Sequence, residues 1–173
     1  MARVGMIGGS YNPLHNGHVK CIQKALQQCD ELHVIIGDLP NRGEFDIETK
    51  LSWFTSIFHD QLDRLVLHPF LDETADKKNY GLQKWLDDSV KIKDLIGKPI
   101  DVVFCGADYD RPDNPYLVCY PDQEIVYFDR DDQINSTEIR EDPEGHKDWV
   151  PDVVYDSLIE LQSQDIQEIE LDR

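Results

Sequence analysis

Val4-Gly5-Met6-Ile7-Gly8-Gly9-Ser10-Tyr11-Asn12-Pro13-Leu14-His15-Asn16-Gly17-His18 changes its hydrophobic period partway along, and that change decides the fold. Val4 to Ile7 is a short apolar run closed by two glycines. From Asn16 the apolar residues recur at Val19, Ile22, Leu26 and Cys29, which lie on one face of a helix. The stretch therefore reads as strand, glycine turn, helix. Working outward, Leu32 to Ile36 predicts a second buried strand. Ile47 to Phe58 predicts a helix with Leu51, Phe54 and Phe58 inward and Trp53 in the core, and Leu65 to Leu67 a third strand. Tyr80 to Ile96 shows a 3.6-residue period through Leu82, Trp85, Leu86, Val90 and Leu95, and Ile100 to Cys105 and Ile125 to Phe128 are further strands. Asn135 and Glu138 have capping-box spacing at the start of a short helix, which predicts outward-pointing backbone N–H groups there, and Val150-Pro151 opens a last one.

Near-continuous apolar strands alternating with helices predict an α/β fold, a Rossmann-like doubly wound parallel sheet with both faces covered. Ligands of such sheets bind outside the carboxyl ends of the strands. No internal repeat breaks the pattern. One domain over residues 1–160 and an acidic C-terminal tail over 161–173 are expected.

The 173 residues carry 35 acidic and 17 basic side chains, a formal charge of −18. That balance argues against nucleic-acid and anionic-membrane partners, which draw affinity from many Lys and Arg contacts. With 40% hydrophobic and 9% aromatic residues the chain has the apolar surface that disordered chains lack. No run approaches the roughly 20 apolar residues of a membrane span, and with no apolar h-region and small-residue cleavage site at the amino terminus, export is not expected. Cys21, Cys29, Cys105 and Cys119 form no C-x-x-C pair, so buried reduced thiols and a cytoplasmic location are expected.

The Gly8 to His18 stretch feeds the first helix from the ligand edge of the sheet. Glycines allow close backbone approach, Ser10 supplies a hydroxyl, and amides near a helix start suit an anion, so phosphate is the natural ligand. The stretch matches neither G-x-x-x-x-G-K-[ST] nor G-x-G-x-x-G. His15 and His18 are spaced so that both rings could address one polyphosphate, with Gly17 leaving room for a ligand. The rival readings are a satisfied core or surface histidine and a zinc site, for which further ligands are not evident.

Gly8-Gly9-Ser10-Tyr11-Asn12-Pro13-Leu14-His15-Asn16-Gly17-His18 resembles the first signature of the HxGH nucleotidyltransferases, and Ile134-Asn135-Ser136-Thr137-Glu138-Ile139-Arg140 resembles the second. Within that superfamily the chain is most similar to the nicotinamide mononucleotide (NMN) adenylyltransferase domain of NadR-type enzymes. The likeness runs through Asp30 to Gly37, Gly81 to Trp85, and Ile139 to Pro151. In that family a ribosylnicotinamide kinase domain follows; here no kinase-type phosphate loop is found, so the adenylyltransferase alone is expected. Asp129-Arg130-Asp131-Asp132 is acidic where related enzymes often carry basic residues.

The resemblance implies attack of the NMN phosphate on the α-phosphorus of ATP, giving NAD and pyrophosphate with no covalent enzyme intermediate. It assigns His15, His18 and Arg140 to catalysis at the phosphates. Gly9, Ser10, Tyr11, Gly106, Asp108, Ser136 and Thr137 are assigned to ATP, with a loop-capping carboxylate as the equal rival for Asp108. Trp85 is assigned to stacking on nicotinamide, against core packing. Arg42 and, more weakly, Lys50 are assigned to the NMN phosphate, against ordinary surface charge. Mg2+ bridging the ATP phosphates is the implied cofactor, with no dedicated metal cage in the protein. An 18-fold negative chain can hold two anionic substrates only if His15, His18, Arg42 and Arg140 converge, because charges beyond about 8–10 Å are screened. Other transferases on the same scaffold stay open: a nicotinate mononucleotide, phosphopantetheine or cytidylyl enzyme. A non-catalytic NAD or nucleotide sensor is another, and a homo-oligomer is compatible with the sequence.

Overall fold

The computed structural model describes residues 2–74, 81–129 and 134–171, without the side chains of 166–171. Five strands, β1 (Val4–Gly9), β2 (Glu31–Asp38), β3 (Leu65–Leu71), β4 (Val102–Gly106) and β5 (Glu124–Phe128), form one sheet in the order β3-β2-β1-β4-β5. Every pairing is parallel. Parallel neighbours require crossovers, and these are the helices α1 (Asn16–Leu26), α2 (Ile47–Ile57), α3 (Leu82–Ile96) and the short α4 (Pro115–Cys119). The chain then adds α5 (Ser136–Glu141) and α6 (Asp152–Leu171), the latter carrying much of the acidic C-terminal segment as helix.

Alternation along the strands divides the core between two faces. Ile7, Val34, Val102 and Phe104 join Ile22 and Leu26 of α1, Trp53 and Phe54 of α2, and Val154 and Leu158 of α6. Met6, Ile35, Val103 and Cys105 meet Ile96, Tyr116 and Cys119 on the opposite side. The indole N–H of Trp53 donates to Ser157 Oγ at 2.9 Å, which ties α2 to α6. Both faces are covered, as the apolar strands require. Cys29, Cys105 and Cys119 are buried thiols. No helix among the described residues is long and apolar enough to cross a membrane.

One sequence expectation fails on α3. Leu82, Val90 and Leu95 are 51%, 59% and 47% exposed, while the residues turned inward are Asp88, Ser89 and Ile96. The inner face of α3 covers a cavity as well as core, so its polar residues point in and part of its apolar stripe points out. Tyr80, with which that period began, lies outside the described residues, as do Arg130, Asp131 and Asp132.

Candidate active site

β1 lies between β2 and β4, so the crossovers leaving its two sides open a crevice at its carboxyl end. Gly8 and Gly9 are exposed there although the rest of β1 is buried. The crevice holds two adjoining cavities. The larger, about 870 Å³, is lined by His15, His18, Arg42, Ser136, Thr137 and Arg140 among others. The smaller, about 400 Å³, is lined by Arg42, Asp72, Trp85, Asp88, Tyr109 and Tyr120 among others. Gly8, Gly9, Ser10, Arg42, Tyr109 and Tyr116 belong to both.

His15 is the N-cap of α1. Its Nδ1 accepts from the backbone N–H groups of Gly17 (3.1 Å) and His18 (3.3 Å), and His18 Nδ1 accepts from the His15 N–H at 3.1 Å. The two side chains close a reciprocal capping box with histidines at both positions. Because both Nδ1 atoms accept, a neutral ring at either position carries its proton on Nε2, the nitrogen remote from the cap. The rings stack with centroids 3.6 Å apart and planes 20° apart. Below them, Tyr11 meets His18 and Phe54 edge-on, at 5.0 Å each.

Two expectations about this loop are corrected. The amides of Gly17 and His18 bond to His15, so they do not point outward at an anion. The space beside Gly17 is filled by the same ring, since a Cβ there would lie 2.9 Å from His15 Cε1 and 3.0 Å from Nδ1. Gly17 makes room for a histidine, not for a ligand. Tyr11 lines the larger cavity but its ring is buried, and that burial pushes its phenol above the ordinary range. Its φ of +50° is a conformation that costs a residue with a Cβ about 1–2 kcal/mol. Clamping between His18 and Phe54 holds it.

Arg140 reaches the same loop from the other end of the sequence: one guanidinium nitrogen donates to the Asn12 carbonyl, and another to Thr137 Oγ1 at 3.4 Å. On α5 the Asn135 side chain accepts from the N–H groups of Thr137 (2.8 Å) and Glu138 (3.3 Å). Those amides, expected to point outward, are therefore taken by the cap, which leaves the side chains of Ser136, Thr137 and Arg140 at the cavity. Gly106 lines the larger cavity, whereas Asp108 sits exposed just beyond it in the 3-10 turn Ala107–Tyr109 and lines neither.

Arg42 lines both cavities and is anchored from behind: Nε donates to Thr74 O at 3.0 Å, and Nη2 lies 3.4 Å from Asp72 Oδ2. Lys84 Nζ bridges Asp72 at 3.5 Å and Asp88 at 3.1 Å. Burial acts to raise the Asp72 pKa, but hydrogen bonds from Thr74 and the charges of Lys84 and Arg42 outweigh it and hold the carboxyl below its ordinary range. Trp85, partly buried, meets Tyr116 edge-on at 5.1 Å and Tyr109 at 6.1 Å. Lys50 is corrected. Its side chain is fully buried and lines neither cavity, with Nζ donating to Gly37 O and Glu44 Oε1, both at 2.9 Å. It ties the end of β2 to the following loop.

Sequence reasoning missed Asn12 as the anchor of Arg140, Tyr109 and Tyr116 as shared walls, and the buried Asp72 and Asp88. The Asn114-Pro115 pair, a capping residue followed by proline at the first helical position, was the available signal for α4 and hence for Tyr116.

The cytidylyltransferase-like family matches residues 6–51, which contain the glycine turn and both histidines. Among curated relatives, the trifunctional NAD biosynthesis/regulator protein NadR of Escherichia coli is 26% identical over 161 residues, covering 86% of this chain and 38% of NadR. Glycerol-3-phosphate cytidylyltransferase of Bacillus subtilis is 28% identical over 137 residues, covering 79% of this chain and 94% of that enzyme. Among solved structures, the bifunctional NMN adenylyltransferase/ADP ribose pyrophosphatase of Francisella tularensis, complexed with AMP and a manganese ion, superposes with a TM-score of 0.63 at 20% identity. The match covers 99% of this chain and 56% of that one. The likeness to solved structures gives the chain the fold of the NMN adenylyltransferases. The chain spans little more than a third of the NadR proteins it matches.

Proposed function

We propose that this chain is an NMN adenylyltransferase, transferring AMP from ATP to NMN to give NAD and pyrophosphate. One observation carries the reading: a cavity whose imidazoles and guanidinium come from opposite ends of the sequence adjoins an aromatic cavity across a shared glycine floor. Triphosphate occupies the first and the pyridine nucleotide the second. An oxygen of the NMN phosphate attacks the α-phosphorus, the bond from that phosphorus to the bridging oxygen breaks, and pyrophosphate leaves with the bond electrons. No side chain need form a bond, so positioning and preorganised donors supply the catalysis.

Nε2–H of His15 and His18 donates to the α- and β-phosphate oxygens. Gly9 and Ser10 contact the phosphates from the loop, Ser136 and Thr137 hold the β- and γ-phosphates, and the planar fork of Arg140 neutralises the leaving group. Gly106 approaches the adenosine, with Asp108 reaching its ribose from the rim. Trp85 stacks on the pyridinium ring, and Arg42 takes the NMN phosphate.

Among the described residues no three His, Cys, Asp or Glu side chains form a metal-binding group. The carboxylate of Glu44, at the larger cavity, is already paired with Lys50. This donor set fits an ion that enters on the ATP phosphates with its waters. Mg2+ supplies charge neutralisation there. The manganese and AMP complex of the Francisella enzyme supports use of a divalent ion.

Cytidylyl transfer is the second reading, favoured by the family match and by the Bacillus relative. Pyrophosphate release from ATP or CTP, measured with NMN, nicotinate mononucleotide, phosphopantetheine and glycerol 3-phosphate, tests both. ATP with NMN is expected to give pyrophosphate and NAD in equal amounts. Turnover with CTP and glycerol 3-phosphate alone would replace the first reading with the second. Tight NAD binding with no pyrophosphate from any pair would make the chain a sensor.

A further inference from the structure

A pyridine mononucleotide comes in two forms, one with a neutral carboxamide on the ring and one with a carboxylate. The smaller cavity carries two buried carboxylates. Asp88 is 3% exposed and Asp72 is 7% exposed, and both line the cavity. Burying a carboxylate is costly unless it is paired, and here Lys84 pairs with both while Arg42 also pairs with Asp72. The pairing offsets the cost of burial without removing the two carboxylates from the wall.

Trp85 and Asp88 are three residues apart on α3 and line the same cavity. Positions so spaced on a helix have Cβ atoms about 5–6 Å apart. A pyridine ring lying on the indole therefore has its 3-substituent within reach of the Asp88 carboxylate.

Resting on the NMN reading above, we propose that Asp88, supported by Asp72, makes this cavity select the amidated pyridine nucleotide over its acid. The carboxamide N–H donates to the Asp88 carboxylate. The acid form has no such donor and brings a third negative charge beside two, a repulsive element of the kind that specificity requires. The cationic ring common to both forms gains from the same carboxylates, so the discrimination is confined to the substituent. Arg42 lines the same cavity and Lys84 pairs with both carboxylates, and these cations would favour the acid if they, not Asp88, faced the substituent. The two arrangements thus predict opposite preferences.

The test measures kcat/KM of the full chain for NMN and for nicotinate mononucleotide, with ATP and Mg2+, by pyrophosphate release. A site that hydrogen-bonds a substrate group strongly rejects an analogue lacking it, so the wild type is expected to favour NMN by at least about a hundredfold. Asp88→Asn, whose amide can donate as well as accept, is expected to reduce that ratio about tenfold or more. Asp72→Asn is expected to reduce it less. Wild-type affinities of the two nucleotides, read by quenching of tryptophan fluorescence without ATP, give a check that needs no variant to fold. Equal affinities, a wild-type preference for the acid, or an unchanged ratio in Asp88→Asn would each overturn the proposal while leaving adenylyl transfer to a pyridine nucleotide standing. Absence of turnover with both nucleotides would instead remove the NMN reading, and this proposal with it.

Discussion

The Cβ of an alanine at position 17 would lie 2.9 Å from the ring of His15, closer than real Cβ contacts come. The glycine of the H-x-G-H sequence is thus the complement of its first histidine. Gly17→Ala forces the ring off the helix start and loses a cap worth about 1 kcal/mol. Alanine is intrinsically the better helix former by about 0.5–1 kcal/mol, so the two effects nearly cancel. The expected outcome is an unfolding midpoint close to wild type with turnover reduced about a hundredfold. A stable variant with wild-type turnover would detach the ring's position from catalysis.

Arg140 is exposed and its contacts run to Asn12 and Thr137, not to the core. Arg140→Ala is expected to lower kcat by about 10²–10³-fold, the usual loss for one preorganised donor. Stability should move by about 0.5 kcal/mol, as for ordinary surface substitutions. His18→Ala should give a comparable loss of kcat. Chemical denaturation beside steady-state kinetics checks both variants.

Lys50 gives the opposite pattern. Replacing it with methionine leaves Glu44, whose side chain is 9% exposed, without its 2.9 Å partner and also frees the Gly37 carbonyl. Breaking a buried pair from one side costs about 3–5 kcal/mol. Urea denaturation should detect that loss, while KM for NMN in the folded fraction stays near the wild-type value. A large rise in KM without loss of stability would return Lys50 to the acceptor site.

His68 on β3 lies 2.7 Å, nitrogen to nitrogen, from His33 on β2, whose other ring nitrogen is 2.6 Å from Glu31; Lys98 completes the row by pairing with Glu31. Burial, and then the proximity of His33, lower the His68 pKa below its ordinary 6.5. The unfolded chain therefore binds a proton at this site more readily than the folded one. The resulting stability is fully present above about pH 6.5 and is lost as pH falls through the folded-state value. Thermal unfolding between pH 7.5 and 5.5 should show this decline, and His68→Gln should flatten it. An identical slope in the variant would assign the decline to other groups.

What the sequence revealed and what it hid follow from where each residue stands. The inner strands of a parallel sheet are buried on both faces, so β1, β2 and β4 read as apolar runs with no competing signal. The two histidines and Arg140 were legible because spacing within each motif is local, and the fold brings the motifs to one cavity. Hydrophobic periodicity assumes that the face of a helix turned towards the protein is apolar. α3 breaks that assumption at Asp88 and Ser89 because part of what it covers is a cavity. Lys50 looked like a candidate for the NMN phosphate because no pattern in the chain announces that a lysine will be enclosed by a carbonyl and a carboxylate brought from Gly37 and Glu44. The capped amides at Gly17 and Thr137 were hidden for a related reason: whether a cap side chain turns back onto its helix is a matter of rotamer, not of spacing.

The division of labour across the shared floor has an evolutionary reading. Under the proposed function, His15 and His18 at the start of α1 and Arg140 of α5 serve the triphosphate, while α3 and the tyrosines near α4 shape the neighbouring compartment. On that reading, substitutions on α3 would exchange one recipient for another without disturbing the machinery that activates the donor. A lineage built this way diversifies by redecorating a single wall.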